Sequence, residues 1–105
     1  MAVSETLNFQ NLSTVQDISQ PKPVTIAAAS TIVPTGFLTF VTGTTQIATI
    51  TPPVPGAHML ALVFTNANPG AFTGAGNVQS TKDPAQNELV LLCYDPITAK
   101  YYVVN

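Results

Sequence analysis

The stretch that most restricts how this chain folds is residues 35–53, TGFLTFVTGTTQIATITPP. Two short runs rich in Phe, Leu, Val, Ile and Thr flank Gly43, and two prolines close the second run. β-Branched and aromatic residues favour strands, and glycine favours the turn between them. The stretch is therefore predicted to form a β-hairpin, with limbs at 37–42 and 46–51, at the centre of an all-β domain.

Further strand-like runs recur at intervals of about ten residues, separated by proline- and glycine-rich turns, which is typical of a β-sandwich or jelly roll. The last two runs, 88–94 and 100–104, are predicted to form a closing hairpin that turns at Asp95-Pro96. The runs at 58–65 and 88–94 are apolar at both their odd-numbered and even-numbered positions. Both faces of each strand therefore need to be covered. An opposing sheet would provide one cover, and another subunit of a trimer would provide the second.

Residues 1–23 differ in composition from the β-sandwich domain predicted over 24–105, and they are predicted to form an extended N-terminal arm. Their Ser, Thr and Asn residues disfavour a persistent helix, and the prolines at 21 and 23 stiffen the end of the arm. An extended arm cannot bury its own apolar side chains. Contacts with the domain, a sister subunit or a host surface are therefore predicted for Leu7, Phe9, Leu12, Val15 and Ile18.

The chain carries few charges, because Asp, Glu, Lys and Arg make up 8% of it against 46% apolar residues. Since typical domains are about 25% charged, this composition favours self-association. With three lysines and no arginine, the chain cannot form the basic stripe that binds nucleic acid. Membrane binding is not expected either, because there is no polybasic patch and no long apolar run. The N-terminus lacks the features of a signal peptide, so the chain is predicted to stay in the cytoplasm where it is made or to be assembled there into a particle.

The residues needed for catalysis are scarce. His58, the only histidine, shares strand parity with apolar residues and is predicted to be a hydrogen-bonded structural residue. The single cysteine, Cys93, lies in an apolar run and is predicted to be buried. Asp83 and Glu88 flank Pro84, and a solvated loop is favoured for them over a pair of catalytic carboxylates. No enzymatic activity, cofactor or metal site is therefore predicted.

Four segments within residues 32–104 resemble a small β-module of tailed-bacteriophage virion proteins: IVPTGFLTFVTGTTQIATITPPVPG, LALVFT, FTGAGNV and ELVLLCYDPITAKYYVV. That module has a P-T-G…V-T-G-T-x-x-I-x-T-I hairpin, a T-x-A-G-N-I-like loop and a closing L-x-Y-D…K-W-Y hairpin. The closing hairpin is matched here by Leu92, Tyr94, Asp95, Lys100, Tyr101 and Tyr102. The chain departs from the module in lacking Trp and in having a longer prolyl loop at 52–56, and the resemblance covers none of residues 1–23.

The resemblance implies a structural virion protein, typically trimeric. The first hypothesis is a capsid decoration (cement) protein that binds the major capsid protein on the outer surface of the head as a homotrimer. The alternative is a receptor- or carbohydrate-binding module of a phage fibre, which would use the loop at 66–86 and the tyrosines. A third hypothesis, an enzyme, would depend on His58 or Glu88. The candidate trimer-interface residues are His58, Leu60, Tyr101 and Tyr102.

Overall fold

The structure, a computed structural model, describes residues 22–105. No helix occurs among these residues, so the chain is all-β there, as predicted. The predicted arm, apart from Lys22 and Pro23, lies outside the described residues, and so do its five candidate contact residues. Seven strands follow: β1 (Val24–Ala27), β2 (Thr31–Ile32), β3 (Leu38–Thr42), β4 (Thr49–Ile50), β5 (His58–Phe64), β6 (Leu89–Asp95) and β7 (Lys100–Val103).

Five of the strands form one mixed sheet in the order β1-β3-β5-β6-β7. The first three strands run parallel to one another, whereas β6 is antiparallel to both β5 and β7. The predicted closing hairpin is confirmed, and Asp95 acts at its turn as expected, because its Oδ1 accepts a hydrogen bond from the Ile97 backbone N–H at 2.9 Å. The remaining strands, β2 and β4, form a separate parallel pair.

The central hairpin predicted over residues 35–53 is wrong. Strand β3 pairs with β1 and β5, so neither of its edges is free for the segment after Gly43. Gly43 turns the chain out of the sheet with a φ of 86°, which glycine adopts without strain. Ile47 and Ile50 are both buried, yet residues three apart point to opposite faces of a regular strand. The segment can bury both only by leaving strand conformation between them.

Strands β2 and β4 lie within the two connections that join the parallel strands. Parallel neighbours require a crossover, and a helix commonly provides it. Here residues 28–37 and 43–57 leave the five-stranded sheet, contribute one short strand each to the second pair, and return. Ile32 and Ile50 bring this pair into the same buried cluster as the main sheet. The second layer therefore covers one face of the sheet.

That covered side, the inner face, consists of side chains aligned in rows across the strands. One row joins Leu60 of β5 to Leu92 and Val103, and a neighbouring row joins Thr39, Leu62 and Val90. Apart from the half-buried Val103, these side chains are buried. Phe64 and Phe72, a loop residue, meet edge to face with ring centroids 5.9 Å apart. The core is thus formed by the inner face, the β2–β4 pair and the long loop after β5.

Candidate interaction surface

An aromatic cluster occupies one end of the inner face, where β5, β6 and β7 lie side by side. Sheet register places His58 beside Tyr94 and Tyr94 beside Tyr101. The ring centroids are 5.0 Å apart for His58 and Tyr94, and 4.8 Å apart for Tyr94 and Tyr101. Distances in this range are favourable for aromatic packing. The three rings therefore form one packed unit.

Two hydrogen bonds fix the His58 ring. Its Nδ1 lies 2.8 Å from the Gly56 carbonyl oxygen, which can only accept, so Nδ1 carries the proton of the neutral ring. Nε2 is then the acceptor, and the Tyr101 hydroxyl, 2.8 Å away, donates to it. The predicted hydrogen bonding of His58 is confirmed, because both ring nitrogens have partners within the chain.

Burial sets the acidity of the phenol in this cluster. Tyr101 has no exposed surface. Loss of solvation on burial, followed by the proximity of the Tyr94 hydroxyl, raises the pKa of Tyr101 to about 12. The hydroxyl therefore remains protonated at all physiological pH values and acts as the donor to His58.

The four residues expected at a trimer interface do not share one surface. Leu60 and Tyr101 are fully buried in the core, which corrects the prediction for both, because a side chain without exposed surface has none to give to a second subunit. His58 is half-buried at the rim of the aromatic cluster. Tyr102 points to the opposite face of the sheet, and 42% of the surface of this residue is exposed.

That opposite side, the outer face, is apolar across the central strands. Its side chains also form rows: Met59, Cys93 and Tyr102 in one, Leu38, Ala61 and Leu91 in the next, and Phe40, Val63 and Leu89 in the third. Met59 is 39% exposed and Leu89 is 46% exposed. Ala61 is buried between its larger neighbours. None of these nine residues is charged, and the only charged residues in the next row are Asp95 and Lys100, at the corner where β6 meets β7.

Cys93 lies in the outer face and is exposed, so the prediction of a buried core cysteine is wrong. In the strand Leu89–Asp95, the even-numbered residues 90, 92 and 94 face the core, and Cys93 has the other parity. The run LVLLCY is apolar at both parities, and apolar character therefore could not indicate which parity is buried.

Of the three side-chain carboxylates among residues 22–105, those of Glu88 and Asp95 have partners within the chain. Glu88 Oε2 lies 2.8 Å from Lys82 Nζ, and Glu88 Oε1 accepts a hydrogen bond from the Ala85 N–H at 2.9 Å. These two contacts, with Lys82 the larger influence, hold the pKa of the Glu88 carboxyl below its usual value. A general acid requires a raised pKa, so the environment of Glu88 acts against that role. Within residues 22–105, no three His, Cys, Asp or Glu side chains are grouped as a metal site requires.

The loop at 66–86 is anchored to the core, and this includes the stretch at 70–76, for which the glycine content predicts a flexible surface loop. Phe72 and Val78 are buried, and each makes a single parallel bridge, to Ile47 and Tyr101 respectively. Next to Val78, the Asn77 side chain accepts from the Ile50 N–H at 2.8 Å and donates to the Ile50 carbonyl at 2.7 Å. The Asn77 amide thus completes the edge of β4 as a neighbouring strand would.

Replacing Asn77 with alanine is expected to destabilise the fold by about 2 kcal/mol. The substitution leaves two partly buried backbone groups of Ile50 without partners, and each such loss costs about 1 kcal/mol or more. Urea denaturation of N77A and wild type at equal chain concentration measures the difference. As a control, N68A lies in the same loop, but Asn68 is exposed and its side chain makes no such pair of bonds. Equal losses for N77A and N68A would contradict the bridging role.

Apart from Tyr102, the apolar residues of the outer face are not among the site residues that the sequence predicts. The sequence signal was present, since strands apolar at both parities require two covers. The pattern does not show whether the odd or the even positions of such a strand face the chain's own core. The prediction places Leu60 at the interface, whereas its neighbours Met59 and Ala61 are the residues that face outward.

The described residues contain no helix that is long and apolar enough to cross a membrane. Comparisons of the chain with protein-family models, with curated proteins and with solved structures found no match.

Proposed function

We propose that this protein is a structural component of a tailed-bacteriophage virion, a capsid decoration protein that binds the major capsid protein on the outer surface of the head and stabilises it. The observation that carries the proposal is the uncharged, apolar outer face of the sheet. A protein that acts alone in water rarely exposes such a face, because contiguous apolar patches mark interaction sites. A permanent place in an assembly would give this face its cover.

The architecture we propose for the assembled state is a homotrimer of β-sandwich, jelly-roll-like domains with extended N-terminal arms. The inner face with its β2–β4 layer supports the two-layer domain. The low charge of the chain supports close packing of identical copies. In the arm, Leu7, Phe9, Leu12, Val15 and Ile18 would contact a neighbouring subunit or the capsid.

The proposed role is mechanical and requires no catalytic residue. Each copy adds buried area between neighbouring capsid subunits, and the contacts repeat over the whole lattice. Weak contacts that act together raise the overall affinity well beyond that of any one of them. The head would thereby resist the internal pressure of the packaged genome.

The residues that bear the phage resemblance meet in space, which supports the structural part of the proposal. Asn77 of the TGAGNV segment bonds to Ile50 of the TGTTQIATI segment. Tyr101 of the closing hairpin donates its N–H to the Asn77 carbonyl at 2.7 Å and accepts from the Gln79 N–H at 2.8 Å. The shared motif residues thus have architectural roles. The fibre-module alternative has less support, because Tyr94, Tyr101, Phe72 and Val78 face the core rather than a ligand.

The proposal is tested on phage particles purified by density gradient from cultures of the organism that encodes the chain. Mass spectrometry is expected to find the chain in DNA-filled heads, in many copies relative to the major capsid protein. Heads of phage that lack the gene for this chain are expected to release DNA at a lower temperature than wild-type heads. Adding the purified chain to these heads should restore the wild-type release temperature. Finding the chain only in fibre fractions would favour the alternative, and its absence from particles would exclude both.

A matched add-back separates the arm from the domain. A chain lacking residues 1–20 is expected to fold but to restore little of the release temperature, because the arm's apolar contacts are missing. Equal restoration by the full and shortened chains would remove the arm from the proposal and leave the decoration role intact.

A further inference from the structure

We infer that the outer face is the surface through which copies of this chain pack around the axis of the homotrimer. The contact would be formed by three central rows of side chains, with Met59, Leu89, Leu91 and Tyr102 as the largest contributors. This inference rests on the proposed homotrimer and specifies where its subunits meet. It replaces the interface predicted from sequence, of which Tyr102 alone lies in the outer face.

The first argument is that the apolar outer face would be exposed to water in a monomer. Antiparallel and mixed sheets with one free face normally place polar side chains on it. Here the rows through β3, β5 and β6 carry apolar side chains on both faces, and β7 adds Tyr102. Within residues 22–105 the chain covers only the inner face, and a second copy packed on the outer face would remove its apolar side chains from water.

The second argument is charge, and it favours a copy of the same chain as the occupant. Two identical surfaces meet without repulsion only when neither carries a concentration of like charge. The three outer rows are uncharged, and the nearest charged residues are Asp95 and Lys100, which are of opposite sign and lie at one corner. A strongly acidic or basic partner would find no complementary groups in these rows.

The third argument is size. The apolar rows cross four strands about 4.8 Å apart, with lengths near 20 Å in the centre, and so cover about 400 Å² in projection. This is in the upper range of apolar patches on monomers. It is also of the order of the roughly 800 Å² per partner in stable interfaces. Exposed Val104, which follows β7 and has the parity of Tyr102, extends the apolar surface.

The test is the absolute mass of the full-length chain in solution, measured by light scattering, for wild type and L91K. Leu91 lies in the middle row of the outer face, and lysine there would place like charges around the axis. Wild type is expected at three chain masses, with each chain 11.0 kDa, and L91K at one chain mass with an unchanged circular dichroism spectrum. I97K is the control, because Ile97 is 92% exposed in the β6–β7 turn and belongs to none of the three outer rows, and this variant should remain trimeric.

The native thiol gives a second measurement that needs no folded variant. Cys93 is the only cysteine and lies in the outer face, next to Met59 and Tyr102. In the wild-type trimer, a short bis-maleimide is expected to link Cys93 of two copies into a covalent dimer, and urea should abolish this product.

Each contrary outcome identifies what has failed. A trimer that persists in L91K and yields no Cys93 cross-link overturns the inference but leaves the trimeric decoration protein in place. A monomer whose Cys93 is protected from a maleimide overturns it in favour of cover by residues 1–21 of the same chain. A monomer with a freely reactive Cys93 overturns both the inference and the trimer, while the particle experiment still decides whether the chain decorates heads.

Discussion

Replacing Gly76 with alanine is expected to destabilise the protein by about 3 kcal/mol, the upper range for inserting a methyl group into a packed site. A Cβ at residue 76 would collide with the Ala48 carbonyl and would lie 2.6 Å from the Thr49 hydroxyl oxygen. The obstacle is backbone, which cannot rotate away as a flexible side chain can. The loop at 70–79 would have to lift from β4, breaking the contacts of Asn77 and Val78.

The measurement is the urea midpoint or melting temperature of G76A at the same chain concentration as wild type, since association contributes to apparent stability. A loss of 3 kcal/mol corresponds to a fall in melting temperature of about 15 °C for a chain of this size. G56A is the matched control, because a Cβ at residue 56 has no neighbour within 4 Å and should change stability by less than about 1 kcal/mol. A G76A variant as stable as G56A would contradict the close docking of the loop.

Raising the pH is expected to destabilise the wild type through Tyr101. The pKa of this phenol is about 12 in the folded chain and about 10 when unfolded. The contribution of Tyr101 to the free energy of unfolding is complete below pH 10, because its phenol is protonated there in both the folded and the unfolded chain. Above pH 10 the unfolded state ionises first, so the free energy of unfolding falls by about 1.4 kcal/mol at pH 11 and about 2.7 kcal/mol above pH 12.

Y101F isolates this effect from the ionisation of other groups. At pH 8 the variant should be less stable than wild type by about 1 kcal/mol, because His58 Nε2 loses its donor. By pH 11 this difference in stability should vanish or reverse, because ionisation of Tyr101 destabilises the wild type, whereas phenylalanine in Y101F does not ionise. Y102F, at the exposed neighbouring tyrosine, should follow the wild-type decline. Parallel stability curves for wild type and Y101F between pH 8 and 11.5 would contradict the buried, protonated phenol.

Local pattern determined which residues form strands at the C-terminal end of the chain. The closing hairpin joins segments that are adjacent in sequence, and the Asp95-Pro96 turn sets its register through the Asp95 carboxylate. The same reasoning failed at Gly43. A glycine between two apolar runs is compatible with a hairpin, but it is equally compatible with a chain that leaves the sheet, and the choice depends on β1 and β5 occupying the edges of β3.

Composition by itself determined that this is an all-β chain with few charges and strands apolar on both faces, because strand propensity and hydrophobicity are properties of individual residues and their neighbours. Tertiary structure alone decided that Leu60 and Tyr101 face inward while Met59, Leu91 and Cys93 face outward. Alternation divides a strand into two faces, but a run that is apolar on both leaves them equivalent. The difference arises only when distant segments, the β2–β4 pair and the loop at 70–79, cover one face, while no other part of residues 22–105 covers the second face.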